Sequence, residues 1–292
     1  MARSVSIIGA GRLGRTLGKR LHQLGWRIGA VVTRSAASSR AAVRVIGAGT
    51  PHGGLTPRVL ESDLVLLATP DGALADVARE LAEIGGRDCR GKVILHGSGA
   101  LDSNVLAPLA RLGAFTGSLH PMQTFSDGVA TNLRGVVFTI EGHPRAQRVG
   151  RGIARALGGI PVVLKSESKG EYHAAGTLVA GHVLALVEAA TQVLMKIGFT
   201  RRRAVQALLP LIRQTLDNFE RLGPKASFTG PISRGDYATV ITHREAFRHH
   251  PREVQNAYAA VAFLAGSMLS ASPNTTIKNL KRILESPPGG SQ

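Results

Sequence analysis

The stretch "SIIGAGRLGRTLGKRL", residues 6–21, restricts the fold more than any other part of the chain. A short apolar run stops at Gly9, and leucines at 13, 17, 21 and 24 then repeat at helical spacing. Between them stand Gly9, Gly11 and Gly14, with Arg12 and Leu13, as G-x-G-x-x-G. The first glycine permits a tight turn. The second lets a phosphate approach the backbone, and the third lets the helix pack closely on the strand. The helix start then offers unpaired N–H groups and a positive dipole end to an anion. A tight turn without a ligand is the competing reading.

The pattern continues through the first half. "RIGAVVTRS", "DLVLLATPDGAL" and "GKVILHGSGALDS" each give an apolar strand and a polar or glycine turn. Further strands are expected near 114–118, 136–140 and 161–164, and helices near 73–84, 101–112 and 144–157. Strand–helix alternation of this kind implies a doubly wound, mostly parallel Rossmann-like α/β sheet covered on both faces. After Lys165 the strands cease and long helical stretches follow, from about 167–197, 201–221, 237–247 and 252–270. The expected organisation is a dinucleotide-binding domain over 1–166 and an all-helical substrate and dimerisation domain over 167–286. The tail "SPPGGSQ" reads as disordered.

Composition narrows the partners. The net charge of +17 comes from arginines spread along the chain, and the one tight cluster, Arg201–Arg203, opens a predicted helix. No aromatic interleaving or nucleic-acid motif accompanies them, so the expectation is a basic surface for anionic small molecules, with no nucleic acid. Cys89 is the single cysteine, which suits a cytoplasmic protein. The N-terminal apolar run is too short for a signal segment. "AAGTLVAGHVLALVEAA" carries His182 and Glu188 and falls short of the ~20 apolar residues of a membrane span, so no membrane partner is expected.

The second strand selects the cofactor. An NAD site offers an acid to the ribose about 20 residues past the glycines. Here the strand ends in Thr33, Arg34 and Ser35 with no carboxylate, which suits the extra phosphate of NADP (NADPH). Thr69 and Pro70 of "ATPDG" form a second candidate cofactor loop at a strand's carboxyl end. Two further polar segments follow, "HGSGALD" with His96 and Ser98, and "SLHPMQTF" with His120. His120, aimed by Pro121, is either a proton carrier for hydride chemistry or a turn histidine bonded to a carbonyl. Ser98 would assist it. No metal is expected, because the histidines lack an acidic or cysteine third ligand.

"GAGRLG", "HGSGALD", "SLHPMQTF", "EYHAAGTLVAGH", "LLPLIRQTLDN" and "TGPISRGD", in that order, resemble the Rossmann-like NADP oxidoreductases whose helical C-terminal half is a domain of unknown function, DUF2520. The resemblance runs from residue 4 to about 265 and extends to pyrroline-carboxylate reductases and 6-phosphogluconate-type dehydrogenases. It implies an architecture more than a substrate. More distantly, the chain is similar to prephenate dehydrogenases, whose catalytic histidine lies in a His-Pro-Met segment matching His120, with an assisting serine matching Ser98. Related dehydrogenases place a catalytic lysine early on the first long helix, where this chain has Tyr172 or His173, with Lys169 earlier.

On that helix His173 and Thr177 share a face, and His173 is a third catalytic candidate beside a core reading. In the helical half, Arg234 is expected to grip a substrate anion or to pair internally with Asp236, with Asn218 nearby. The combined expectation is an NADP-dependent oxidoreductase, dimeric through its helices, that transfers hydride to or from a small anionic substrate. The alternative is a non-catalytic NADP-binding regulatory protein.

Overall fold

Alternation along the strands accounts for the two faces of the sheet. Val5, Ile7, Leu64, Leu66, Val93 and Leu95 join one buried cluster, while Ile8, Val65, Leu67 and Ile94 join another. The computed structural model describes residues 3–127 and 131–285. Its strands are β1 (Ser4–Ile8), β2 (Arg27–Thr33), β3 (Thr50–Gly53), β4 (Leu64–Leu67), β5 (Val93–His96), β6 (Phe115–Pro121), β7 (Val137–Gly142) and β8 (Ile160–Val163). They form one sheet in the order β3-β2-β1-β4-β5-β6-β7-β8, parallel except for the β6–β7 pair.

Helices cover both faces. Leu17 and Leu21 of α1 (Arg12–Gln23), Ala42 and Ile46 of α2 (Ala36–Ile46) and Ile153 of α5 (Pro144–Ala156) enter the first cluster. Leu74, Ala78 and Leu81 of α3 (Asp71–Gly85) and Leu109 of α4 (Ala107–Arg111) enter the second. The chain leaves β1 toward β2 on one side and crosses to β4 on the other. That reversal opens a crevice at the carboxyl ends of β1 and β4, where doubly wound sheets hold ligands.

β6 runs further than its sequence suggested. It continues through His120 and Pro121, which pair with Thr139 and Phe138 of antiparallel β7. β5 accompanies it only as far as Ser118. Pro121 is therefore tolerated on a free edge, and the neighbouring Met122 donates its N–H to the Val137 carbonyl. His120 is accordingly a strand residue, not a loop residue.

The chain divides into two compact units, Met1–Ala180 and Gly181–Gln292. The division falls beyond residue 166, inside a helical run made of α6 (Lys169–Thr177), a π-helical turn over Leu178–His182 and α7 (Val183–Lys196). This run, Ser166–Lys196, contains an 18-residue window of mean hydropathy 1.7 and by length and composition alone could cross a membrane. The helix extends at both ends beyond the stretch "AAGTLVAGHVLALVEAA", which alone falls short of a span. Its first turn carries Lys169, fully buried in the polar cluster described below.

The second unit also holds α8 (Arg201–Leu222), α9 (Pro224–Ser227), α10 (Pro231–Arg234), α11 (Tyr237–Phe247), α12 (Arg252–Met268) and α13 (Pro273–Leu284). Its small core joins Val240, Leu280 and Ile283. The "SPPGGSQ" tail lies outside the described residues.

Candidate functional site

The glycine turn has the geometry of a nucleotide cradle. Gly9 has φ +86°, and a Cβ there would lie 2.6 Å from the Thr69 nitrogen. A Cβ on Gly14 would lie 2.4 Å from the Gly9 carbonyl oxygen, so α1 starts hard against the turn. Gly11 has open space instead, with no atom within 4 Å of an added Cβ. It caps α1 without a side-chain bond, and no acid occupies the first turn, so the leading N–H groups are left open to an anion. Thr69 Oγ1, beside this turn, is buried without a hydrogen-bond partner. An orphaned hydroxyl, a bare helix start and an unfilled glycine together fit a dinucleotide.

The other expected cofactor residues surround this cradle. Pro70 starts α3. Ser35 caps α2 by accepting the Ser38 N–H, and Thr33 Oγ1 donates to the Ser35 carbonyl at 2.8 Å. Arg34 is exposed at the end of β2 and makes no ion pair among the described residues. Arg12 is turned away, toward Asp127 and the Phe125 carbonyl, both at 3.3 Å. Leu13 packs on the β5 loop, its Cδ2 lying 2.5 Å from where a Gly97 Cβ would sit. Next along that loop, a Cβ on Gly99 would lie 2.7 Å from His173 Cδ2 and 2.9 Å from His120 Nε2. Two glycines thus bring the turn and the histidines onto one loop.

The histidines belong to a polar ribbon. Ser118 and His120 alternate onto one face of β6, opposite Glu141 and Thr139 of β7. His120 Nδ1 lies 2.8 Å from the Tyr172 hydroxyl of α6. His173 stands edge-on to it, ring centroids 6.2 Å apart, and is exposed. Buried Lys169 donates to the Ser98 carbonyl at 2.7 Å and to Ser118 Oγ at 3.0 Å. Glu141, also buried, accepts from the Ser103 N–H (2.9 Å), Ser103 Oγ (2.6 Å) and Ser166 Oγ (2.8 Å), with Ser118 Oγ at 3.4 Å. Ser118 therefore stands between an ammonium and a carboxylate that never touch.

Ser98 does not bond to His120. Its hydroxyl accepts the N–H groups of Ala100 and Leu101 and closes the loop. His96 braces the same loop by accepting the Ser98 N–H at Nδ1 and donating from Nε2 to the Asp102 carbonyl. Sequence reading passed over Lys169, Tyr172, Ser118 and Glu141 as site residues. The signals available were a lysine and a tyrosine one turn apart at the start of the long helix.

Burial, then the Lys169 charge, pushes both His96 and His120 down to about 4. Burial holds Lys169 down to about 8 against the opposing pull of Glu141, and burial raises Tyr172. The unperturbed value near 6.5 expected for His120 therefore does not apply; the ring is neutral at pH 7. One stability prediction follows. Between pH 6.5 and 4 the unfolded chain holds protons that these two rings refuse when folded. Stability therefore rises with pH across that window and is lost as pH falls through it, by roughly 3 kcal/mol for each ring. Melting temperatures measured from pH 7 to 4 should fall, and His96→Asn should flatten part of the decline; a wild-type melting temperature constant over this range would refute it.

The helical unit holds the remaining candidates. Asp236 caps α11, accepting the Thr239 N–H at 3.2 Å and its hydroxyl at 2.7 Å. These bonds hold its carboxyl below the usual range, with Arg234 a lesser contributor. No ion pair joins Arg234 to Asp236, and Arg234 is exposed. Asn218 accepts from Gln214 one turn earlier. His243 meets Tyr258 at 2.9 Å. Among the described residues no group of three or more His, Cys, Asp or Glu side chains could hold a metal.

Residues 1–121 match the family described as a Rossmann-like domain, and residues 136–264 match the domain of unknown function DUF2520. No curated protein matches the sequence. Among solved structures, the chain is similar to a Bacteroides fragilis protein assigned as an NADP oxidoreductase, at 22% identity and TM-score 0.72, covering 97% of this chain and 98% of that one. An imine reductase of Streptomyces aurantiacus aligns at 16% identity and TM-score 0.59, covering 96% and 94%. A reductive aminase of Aspergillus terreus, solved with NADPH and ethyl levulinate, aligns at 16% identity and TM-score 0.63, covering 95% and 99%. At these identities the likeness is one of fold.

Proposed function

This chain is a Rossmann-like domain followed by DUF2520, and we propose that it is an NADP-dependent oxidoreductase. It interconverts a small carbonyl or imine compound with its alcohol or amine. The observation that carries this reading is the neutral His120–Tyr172 pair, joined through one glycine loop to a turn shaped for a dinucleotide. The imine reductase and reductive aminase folds support the choice of C=O and C=N chemistry. The alternative of a non-catalytic NADP sensor is less favoured, because it has no use for a buried histidine held neutral beside that turn.

Gly9, Gly11, Gly14 and Thr69 would hold the diphosphate, and Arg34 with Ser35 the 2′-phosphate. When bound, the nicotinamide supplies or accepts a hydride. The protein's part is proton transfer. Tyr172 occupies His120 Nδ1, which leaves Nε2 as the working nitrogen; in the tautomer whose Nδ1–H donates to the Tyr172 oxygen, Nε2 takes the proton of an alcohol or ammonium as C–X becomes C=X. In reduction the same nitrogen returns that proton. Glycine at 99 keeps Nε2 uncovered. Lys169 holds the Ser98–Gly99 loop against β6, and its charge adds to burial in keeping the imidazole unprotonated.

Calorimetry tests the nucleotide first. NADPH is expected to bind at least about tenfold tighter than NADH, and Arg34→Glu to remove that preference, since a guanidinium grips a phosphate and a carboxylate repels it. Equal affinity for both would defeat the assignment. Oxidation of NADPH at 340 nm over a panel of ketones, ketone–amine mixtures and cyclic imines then tests turnover. A protein that binds NADPH tightly yet consumes none of it on any of them would favour the sensor.

A homodimer through the helical unit belongs to the same proposal. Leu184, Ile197, Leu211 and Met268 are each about two-thirds exposed (69%, 68%, 65% and 66%), large apolar side chains that a second copy would cover. Sedimentation should give twice the chain mass, and Leu211→Glu should shift it toward the monomer; a wild-type monomer at tens of micromolar would refute the dimer.

A further inference from the structure

The amino ends of the strands, opposite the glycine turn, carry a cleft of about 640 Å³ that the redox reading does not use. Arg3, Arg90, Lys92, Arg145 and Arg148 line it, against the single carboxylate of Asp63. Asp63 already accepts from Ser4 Oγ at 2.8 Å. None of the five cations forms an ion pair among the described residues. So dense an uncompensated charge repels itself unless an anion joins it.

Two independent features point to a ligand. Trp26 lines the cleft, is 8% exposed, and its Nε1–H is buried with no acceptor. An unmet buried donor of this kind is costly, and an acceptor from outside the chain would relieve it. The second feature is α5, whose Arg145, Arg148, Val149, Gly152 and Ile153 fall on one face and form a wall. Arg145 stands in its first turn, where no acid balances it and the helix dipole disfavours a cation. Nothing lies within 4 Å of a Cβ built on Gly152, so this wall is unfilled.

We propose that the cleft is a second binding site, for an organic phosphate of nucleotide size. The guanidinium groups take the phosphate oxygens in paired hydrogen bonds. Leu64, Val93, Val149, Ile153 and the Trp26 ring take a flat apolar body. The Arg3 guanidinium already lies 5.8 Å above that ring, and a ring acceptor on the ligand meets Nε1–H. Inorganic phosphate would satisfy only the cations, and the volume is that of a small-molecule site rather than an ion site.

Trp26 is the chain's one tryptophan, so its emission reports on this cleft directly. The experiment titrates the full chain, saturated with NADP to occupy the glycine turn, with ADP and separately with pyrophosphate. Quenching or a spectral shift with ADP at a Kd below about 1 mM is expected, with pyrophosphate at least about tenfold weaker. The double variant R145E/R148E, and independently R90E, should weaken ADP at least about tenfold and leave NADPH affinity unchanged. Three results would overturn the proposal: emission and heat unchanged up to about 5 mM ADP, ADP affinity indifferent to both variants, or pyrophosphate as tight as ADP. None of them touches the oxidoreductase reading, which stands on the other end of the sheet.

Discussion

Gly9→Ala is expected to abolish measurable NADPH binding and to lower the melting temperature of the apo protein by about 6–12 °C. Two costs add. A side chain at φ +86° occupies the left-handed region, worth about 1–3 kcal/mol, and its Cβ would stand 2.6 Å from the Thr69 nitrogen and 2.7 Å from the Ala68 carbonyl carbon. Both neighbours are backbone at the end of β4 and cannot yield without moving the sheet. About 3 kcal/mol in a unit of this size corresponds to the stated fall. Gly11→Ala supplies the contrast. Nothing in the protein meets its Cβ, so the apo melting temperature should stay within about 1 °C while NADPH binding weakens at least about tenfold, because the methyl enters the space of the diphosphate. A Gly11→Ala protein that bound NADPH normally would show that the phosphates lie elsewhere.

His120→Asn is expected to lower turnover by about 10²–10⁴-fold with NADPH affinity unchanged, the range for a lost general acid or base. Asparagine retains a polar side chain at this position and cannot carry the proton. Tyr172→Phe, which removes the 2.8 Å partner of Nδ1, should cost about tenfold, because the ring is then less firmly aimed. The pH profile separates proton transfer from mere positioning. His120 is faced by Lys169, His96 and His173 and bonded by Tyr172, and it titrates near 4. Oxidation should therefore retain activity well below pH 6.5 and fail only toward 4. Lys169→Met removes a positive charge, raises the imidazole pKa and moves that acid limb to higher pH. An acid limb unmoved by Lys169→Met, or full activity in His120→Asn, would exclude this histidine from the chemistry.

The parts of this protein that could be read from the sequence are those whose determinants lie within a few residues of one another. The G-x-G-x-x-G turn and the leucine repeat of α1 identify their own geometry, as does the acid-free end of β2 at Thr33, Arg34 and Ser35. β3, α13 and the last residues of β6 were missed for the converse reason. β3 is four residues long and depends on β2, and Pro121 reads locally as a strand's end although the antiparallel partner carries the strand through it.

The site itself was only half visible. His120 and Ser98 are conspicuous because each sits in an unusual local segment, yet their partners lie far along the chain: Tyr172 is 52 residues from His120, and Lys169 is 71 from Ser98 and 51 from Ser118. Glu141 reaches Ser118 only through the antiparallel register of β6 and β7. No periodicity encodes such pairings.

Taken alone, the amino-acid order determined the sheet, its nucleotide turn and the change to helices, because strand and helix period and glycine's freedom act locally. Folding in three dimensions decided which polar groups share a buried space. It thereby decided that His120 is neutral and that Lys169 faces Glu141 through a serine, since desolvation and charge depend on distance in space and not along the chain.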